Sequence, residues 1–119
     1  MKITIKTIKH STQDYPTVGN WKFDKKGNLS VFVSKMGFEY RELAVAIHEI
    51  IEAYKCKQLG IKEEDVTNFD LNHVDADEPG LLRTAPYHLP HVWADLIERQ
   101  VIYGFNENWA DYEKAIHKL

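Results

Sequence analysis

The segment His48-Glu49-Ile50-Ile51-Glu52 brings three side chains that can bind a metal ion or transfer a proton into little more than one turn of a predicted helix. Residues four apart lie on the same helix face, so His48 and Glu52 could direct an imidazole nitrogen and a carboxylate at one ion. This is the spacing of the HExxH zinc motif, with a carboxylate in place of the second imidazole. Glu49 lies about 100° around the helix from His48, where it could orient or deprotonate a water molecule at the metal. The alternative is a solvated helix flank on which Glu52 pairs with a basic neighbour.

A third ligand would complete a catalytic zinc site, because such sites commonly use three protein ligands and a water molecule. His91 is the candidate, and the set of His48, Glu52 and His91 has the two-histidine, one-carboxylate composition of known zinc sites. Asp95 or Glu98, on the same predicted helix face as His91, could bond its far nitrogen. Taken alone, His91 could also be a histidine at a helix N-terminus that pairs with Asp95 or with solvent.

An acidic segment lies between the motif and His91. Residues 63–78 contain seven carboxylates and neither lysine nor arginine. The segment lacks the carboxylate spacing and the distal glutamate of an EF-hand, so a calcium loop is not expected. Residues 70–87 are predicted to form a long loop with a solvated, negative surface, from which Asp70 or His73 could supply an extra ligand.

The first third of the chain is predicted to form the sheet that positions these residues. Alternating apolar and polar residues predict strands over residues 3–8, 21–23 and 29–33. The sequence Asp24–Asn28 is typical of a hairpin connection between the last two strands. These spacings predict a small three-stranded antiparallel sheet.

The remainder of the chain shows helical spacing. Long helices are predicted over about residues 40–59, ended by Gly60, and over about residues 89–103. A short helix is expected over about residues 62–69, and Asn108 is expected to cap a final short helix. The expected buried face of the second long helix consists of Leu89, Val92, Trp93, Leu96 and Ile97.

The length of 119 residues and the balanced composition indicate a single α+β domain, with a sheet region over 1–37 and a helical region over 38–119 that carries the metal site. The lone cysteine, Cys56, excludes a disulfide framework and a thiolate zinc site, so the expected compartment is the reducing cytoplasm. No apolar run approaches the roughly 20 residues of a membrane span. The N-terminal lysines lack accompanying arginines and interleaved aromatic residues, so no nucleic-acid partner is expected.

Several short segments, spread over nearly the whole chain, occur in the same order as the recurring segments of one protein family. They are Gly19-Asn20-Trp21, Val33–Gly37, Ala44–Ala53, Glu78-Pro79-Gly80, Ala85-Pro86-Tyr87, His91 and Trp109–Glu113. In these segments the sequence resembles a family of small, uncharacterised proteins of tailed bacteriophages and prophages. The family pattern has an HExxE helix and a histidine after the APY segment. Relatives often have an acidic residue directly before that histidine, where this chain has Pro90.

The resemblance implies a minimal zincin-like metallopeptidase fold in a protein of the bacterial host cytoplasm. It also implies a metal site at His48, Glu52 and His91, with zinc as the expected cofactor. The leading hypothesis is a zinc-dependent hydrolase that acts on a peptide, protein or other amide. Glu49 would then transfer the proton, and Tyr87 or His88 would stabilise the developing oxyanion. In zincins an edge strand aligns an extended substrate, and the candidate strand is Leu29–Ser34.

Two other functions are compatible with the same residues. One is a non-enzymatic phage accessory protein that binds a host or virion protein and holds a structural metal or none. The other is a phosphohydrolase that uses magnesium or manganese and draws on Asp70 and Asp95 as further ligands. The two imidazoles and the scarcity of arginine argue against the phosphohydrolase.

Overall fold

The computed structural model describes residues 1–119 and shows an α+β chain in which three strands precede four α-helices. This confirms the predicted class. The elements are β1 (Ile3–Ile8), β2 (Gly19–Phe23), β3 (Leu29–Ser34), α1 (Glu39–Leu59), α2 (Glu63–Asn72), α3 (His88–Gly104) and α4 (Trp109–His117), with short 3-10 helices at His10–Thr12 and Pro79–Leu81. None of the helices combines the length and the apolar character needed to cross a bilayer.

The sheet is mixed, so the predicted antiparallel sheet is wrong for one of its two pairings. The strand order is β1-β3-β2, with β3 in the centre. β2 pairs antiparallel with β3, whereas β1 runs parallel to β3 with Ile3 opposite Leu29. The segment between β1 and β2 is long enough to pass over the position of β3, which then inserts between them. Strand direction leaves no trace in the alternation of apolar residues, which is why the sequence did not reveal the parallel pair.

The connection between β2 and β3 is the expected hairpin turn. The Asp24 carboxylate accepts hydrogen bonds from the backbone amides of Lys26 and Asn28, at 2.8 and 2.9 Å. Gly27 has a φ of 81°, a left-handed conformation that glycine adopts without steric cost.

The edges of the sheet are β1 and β2, of which β2 packs against Glu49, so neither edge is the predicted strand Leu29–Ser34. That strand is β3, which pairs on both sides and has no free backbone edge. On β2, the Trp21 amide donates to the Asn20 side chain at 3.0 Å, and the Gly19 carbonyl accepts a hydrogen bond from the Thr17 hydroxyl at 2.8 Å. Side chains from the same segment therefore already bond two of the backbone groups that an added strand would use.

Helix α1 lies across the sheet and against α3, and it buries small residues and the motif rather than its large apolar side chains. Its buried residues are Ala44, Val45, Ala46, His48, Glu49, Glu52, Ala53 and Cys56. The alternative of a solvated flank is therefore wrong for this motif. The helix ends as predicted at Gly60, which adopts a φ of 73°.

Helix α3 has the opposite orientation to the one predicted from its apolar stripe. Leu89 is 73% and Leu96 is 58% exposed, while Asp95 and Glu98 are buried. The face that carries these carboxylates packs on α1, because the imidazole of His48 lies there as a partner for them. The contacts of His48 with these carboxylates join two distant parts of the chain, and the pattern of hydrophobicity does not reveal them.

The remaining elements match the expectations with shifts in their bounds. The short helix α2 continues to Asn72, three residues beyond its predicted end, and the segment before α3 contains the Pro79–Leu81 turn. Asn108 caps α4 as predicted, since its side-chain oxygen accepts the amide of Ala110 at 2.7 Å.

Candidate metal centre

The three predicted metal ligands converge. His48 Nε2 lies 3.1 Å from Glu52 Oε2, and His91 Nδ1 lies 2.9 Å from the same oxygen. Helix α1 supplies two of these residues one turn apart, and the first turn of α3 supplies the third.

The donor set fits a zinc ion. Ligand atoms in a tetrahedral zinc site lie roughly 3.3–3.6 Å apart, only slightly farther than the two distances observed here. The three candidate ligand atoms lie within 4.8 Å of one another, and His48 and Glu52 are buried. Small outward shifts of the side chains would therefore suffice to admit an ion.

The carboxylate of Glu98, on α3, lies next to the imidazole nitrogen of His48 that does not face Glu52. Glu98 Oε1 lies 2.7 Å from His48 Nδ1, although it lies off the direction of a hydrogen bond and leaves this buried nitrogen without one. The other oxygen of Glu98 accepts a hydrogen bond from the Tyr112 hydroxyl at 2.6 Å. A carboxylate that accepts a hydrogen bond from the far nitrogen of a ligating imidazole orients the ring and raises its basicity, and a small rotation of Glu98 would give it that role.

The far nitrogen of His91 contacts a residue that the sequence did not single out as its partner. His91 Nε2 lies 3.2 Å from Glu78 Oε1, whereas the predicted partners Asp95 and Glu98 face His48 instead. The ring of His91 also rests on Gly80, where an added Cβ would come within 2.4 Å of His91 Cγ. The segment Glu78-Pro79-Gly80 therefore positions the third ligand.

The position of Glu52 is fixed from the sheet side. Its Oε1 accepts a hydrogen bond from Trp21 Nε1 at 3.1 Å, which leaves Oε2 facing the two imidazoles. Burial alone would raise the pKa of Glu52, but the hydrogen bonds from His48 and His91 outweigh it and lower the pKa to about 2. The carboxylate is thus held in the ionised form that binds metals.

Glu49 lies beside this cluster, at the edge strand β2. It is buried against Gly19 and lines the same cavity as the three candidate ligands. Burial, reinforced by the charge of Glu52, raises the pKa of Glu49 to about 8. A carboxyl group with a pKa near neutrality can take up and return a proton.

Of the two predicted oxyanion-stabilising residues, the structure brings only one to the cavity. Tyr87 lines it, and its hydroxyl donates to Asp70, which also accepts from Tyr15 at 2.9 Å. Tyr87 would have to release Asp70 to donate to an oxyanion. His88 does not line the cavity, and its Nδ1 lies 3.0 Å from the Gly80 carbonyl, a contact that engages the ring outside the cluster.

The two extra ligands considered from the sequence do not join the cluster. Asp70 accepts hydrogen bonds from Tyr15 and Tyr87, and it is absent from every group of ligand atoms that could hold a metal. His73 stacks on Phe69 and bonds its carbonyl at 2.8 Å. Asp70 therefore positions two tyrosines, and His73 has a local role at the end of α2.

The cluster opens into a cavity of about 440 Å³, lined by β2 and the segment before it, by all four α-helices and by the loop before α3. No lysine or arginine lines this cavity. The carboxylates in its wall are Glu49, Glu52, Asp70, Asp77, Glu78, Asp95, Glu98 and Glu113. The arrangement can therefore hold a divalent cation, with a neighbouring carboxyl group for proton transfer and space for a small ligand.

The sequence indicated the three candidate ligands but not the residues that hold them in place. Gly19, Trp21, Glu78 and Gly80 act through contacts between segments distant in the chain, which the spacing of residues does not reveal. The one signal for them was their presence in the short segments that carry the family resemblance. In comparisons with known proteins, no family model, no curated protein and no solved structure matches the chain.

Proposed function

We propose that this chain is a zinc-dependent hydrolase that cleaves a peptide or another amide, with a zincin-like arrangement of its site. The observation that carries the proposal is the convergence of His48 Nε2 and His91 Nδ1 on one oxygen of Glu52, inside a cavity that also contains Glu49. A structural metal alone would not require a second buried carboxyl group beside its ligands.

In this proposal His48, Glu52 and His91 hold the zinc. Bound zinc would polarise a substrate carbonyl and lower the pKa of a water molecule toward neutrality. Glu49 would accept the proton of the attacking water and deliver it to the leaving amine. Tyr87, once released from Asp70, would donate its hydroxyl to the developing oxyanion.

The chemistry of the cavity favours zinc and an amide over the alternatives. Two imidazoles among three ligands suit zinc better than magnesium or manganese, which prefer oxygen ligands. A phosphohydrolase would need positive charge to bind the phosphate, and no lysine or arginine lines the cavity. The carboxylates of the cavity would repel a phosphate, whereas they would not repel an uncharged amide.

The test combines metal analysis with two variants. Protein purified without a metal-affinity column should contain nearly one zinc per chain, and His48→Ala should contain none. Glu49→Gln should keep its zinc but lose cleavage of a defined peptide mixture followed by mass spectrometry. Glu64→Gln, an exposed position on α2, serves as the matched control and should behave as wild type.

The results also separate the hydrolase from its rivals. Wild-type protein that folds but takes up no zinc would overturn the proposal. Zinc in both wild type and Glu49→Gln, without cleavage by either, would favour the non-enzymatic accessory protein with a structural metal.

A further inference from the structure

The cavity contains a buried carboxylate, Asp95, for which the proposed zinc site has no use. The Asp95 side chain is 9% exposed, lines the cavity and makes no hydrogen bond; the one basic atom within 4 Å is His48 Nδ1, at 3.7 Å. That nitrogen already has Glu98 at 2.7 Å. A largely buried carboxylate that makes no hydrogen bond, and whose one imidazole neighbour lies closer to another carboxylate, is costly, so Asp95 is expected to meet a cation in the functional state.

The carboxylate of Glu78 lies close to that of Asp95. Ligand atoms of Asp95, Glu78 and His91 lie within 4.8 Å of one another. Two carboxylate oxygens at this separation can both accept hydrogen bonds of about 2.8 Å from one nitrogen cation placed between them. Because no lysine or arginine of the chain lines the cavity, nothing in the protein itself fills that place.

We propose that Asp95 and Glu78 form a subsite for a positively charged nitrogen of the substrate, next to the amide that is cleaved. The substrate class is thus a cationic peptide, whose charge comes from a free N-terminal ammonium group or from a lysine or arginine side chain. The description of the ligand as a substrate rests on the proposed hydrolase function. The subsite itself rests on the two carboxylates.

A second zinc ion fits this place less well than an organic cation. When His91 Nδ1 binds the first zinc, the ring proton resides on Nε2, which donates it to Glu78. That nitrogen is then no ligand for another metal. Two carboxylates remain, of which Glu78 is partly exposed and Asp95 is buried. A flexible ammonium or guanidinium group can reach such a pair from the cavity mouth.

The proposal can be tested by binding, without turnover. Zinc-loaded Glu49→Gln protein is titrated calorimetrically with four pentapeptides built on alanine. Three are blocked at both ends and have lysine, norleucine or glutamate in the centre, and the fourth has norleucine and a free amino terminus. The two cationic peptides distinguish a side-chain charge from a terminal one. At least one of them should bind about tenfold or more tightly than blocked norleucine, and the glutamate peptide should bind most weakly.

Further variants show which side chains cause the preference for cationic peptides. Adding Asp95→Asn or Glu78→Gln to the Glu49→Gln background should abolish the preference for positive charge. Asp75→Asn, which removes the same charge from an exposed site outside the cavity, should retain it. Circular dichroism checks the fold of each variant, and Glu78→Gln still decides the question if Asp95→Asn does not fold.

Several outcomes would overturn the subsite. They are equal binding of all four peptides, a charge preference that survives both cavity variants, and a second zinc per chain that disappears in Asp95→Asn. The proposed function fails separately, through the absence of zinc and of cleavage. A charge preference measured on metal-free protein would then still support the subsite.

Discussion

The backbone of Gly19 packs directly against the carboxylate of Glu49, so closely that a Cβ at position 19 would lie 2.5 Å from Glu49 Oε1. Strand β2 therefore packs against the side chain of Glu49, the proposed proton carrier. A side chain at position 19 and the present position of Glu49 are mutually exclusive.

Gly19→Ala is therefore expected to displace Glu49 and to lower the free energy of unfolding by about 1–3 kcal/mol, the usual cost of overpacking. Urea denaturation measures the loss, and zinc content should remain near that of wild type. Gly104→Ala is the matched control, because an added Cβ there has no neighbour within 4 Å. Equal stability of the two variants would contradict this contact.

Gly80→Ala should act on the metal rather than on the proton carrier. Its Cβ would come within 2.4 Å of the His91 ring and force the ring away from Glu52. We expect the zinc affinity to fall by about tenfold or more, measured by competition with a chromophoric chelator. An unchanged affinity would mean that His91 does not bind the metal.

Glu98→Gln tests the carboxylate behind His48. Loss of such a supporting group typically lowers metal affinity by roughly 10–100-fold while leaving the ligands in place. The same chelator competition measures the effect, with Glu64→Gln as the control. Tyr112→Phe, which removes the hydroxyl that holds Glu98 at 2.6 Å, should cause a smaller loss in the same direction.

The metal-free fold should depend on pH through His91. Burial lowers the pKa of His91, but hydrogen bonds to Glu52 and Glu78 outweigh this and raise it to about 10. A histidine whose pKa is higher in the fold than its unfolded value of about 6.5 stabilises the fold fully below that value, and this contribution is lost as the pH rises toward 10. In chelator-treated protein, the stability difference between wild type and His91→Gln should shrink from pH 6 to pH 10. A constant difference would show that His91 is not held as a cation.

Tyr87→Phe tests the role of the hydroxyl in the cavity. If it donates to the oxyanion, its removal should lower kcat by about 100–1,000-fold and change KM little. Tyr103→Phe, an exposed position, is the control. A large rise in KM at constant kcat would assign Tyr87 to substrate binding instead.

The fold was predictable where local patterns determine it. The strands, the long helix that ends at Gly60 and the cap at Asn108 follow from alternation, helical spacing and turn chemistry. The direction of β1 and the orientation of α3 depend on which segments meet in space. The exposed Leu89 and the buried Asp95 show how a charge partner on another helix can override an apolar stripe.

The same distinction holds for the candidate site. His48 and Glu52 are one turn apart, so their convergence follows from helix geometry alone. Glu78 meets His91 through a turn whose path the sequence does not specify. Trp21 reaches Glu52 across 31 positions of the chain, a contact that only the tertiary structure reveals.

The parallel pairing of β1 with β3 has a bearing on the order of folding. The β2–β3 hairpin closes over a short turn and can form within microseconds, whereas β1 must wait until the intervening chain has folded back. The proposed metal ligands come from α1 and α3, and two of them, Glu52 and His91, are 39 positions apart. A complete set of ligands therefore exists only once α3 has docked on α1. In a refolding experiment, the uptake of zinc should accordingly follow the appearance of the hairpin and mark the last stage of assembly.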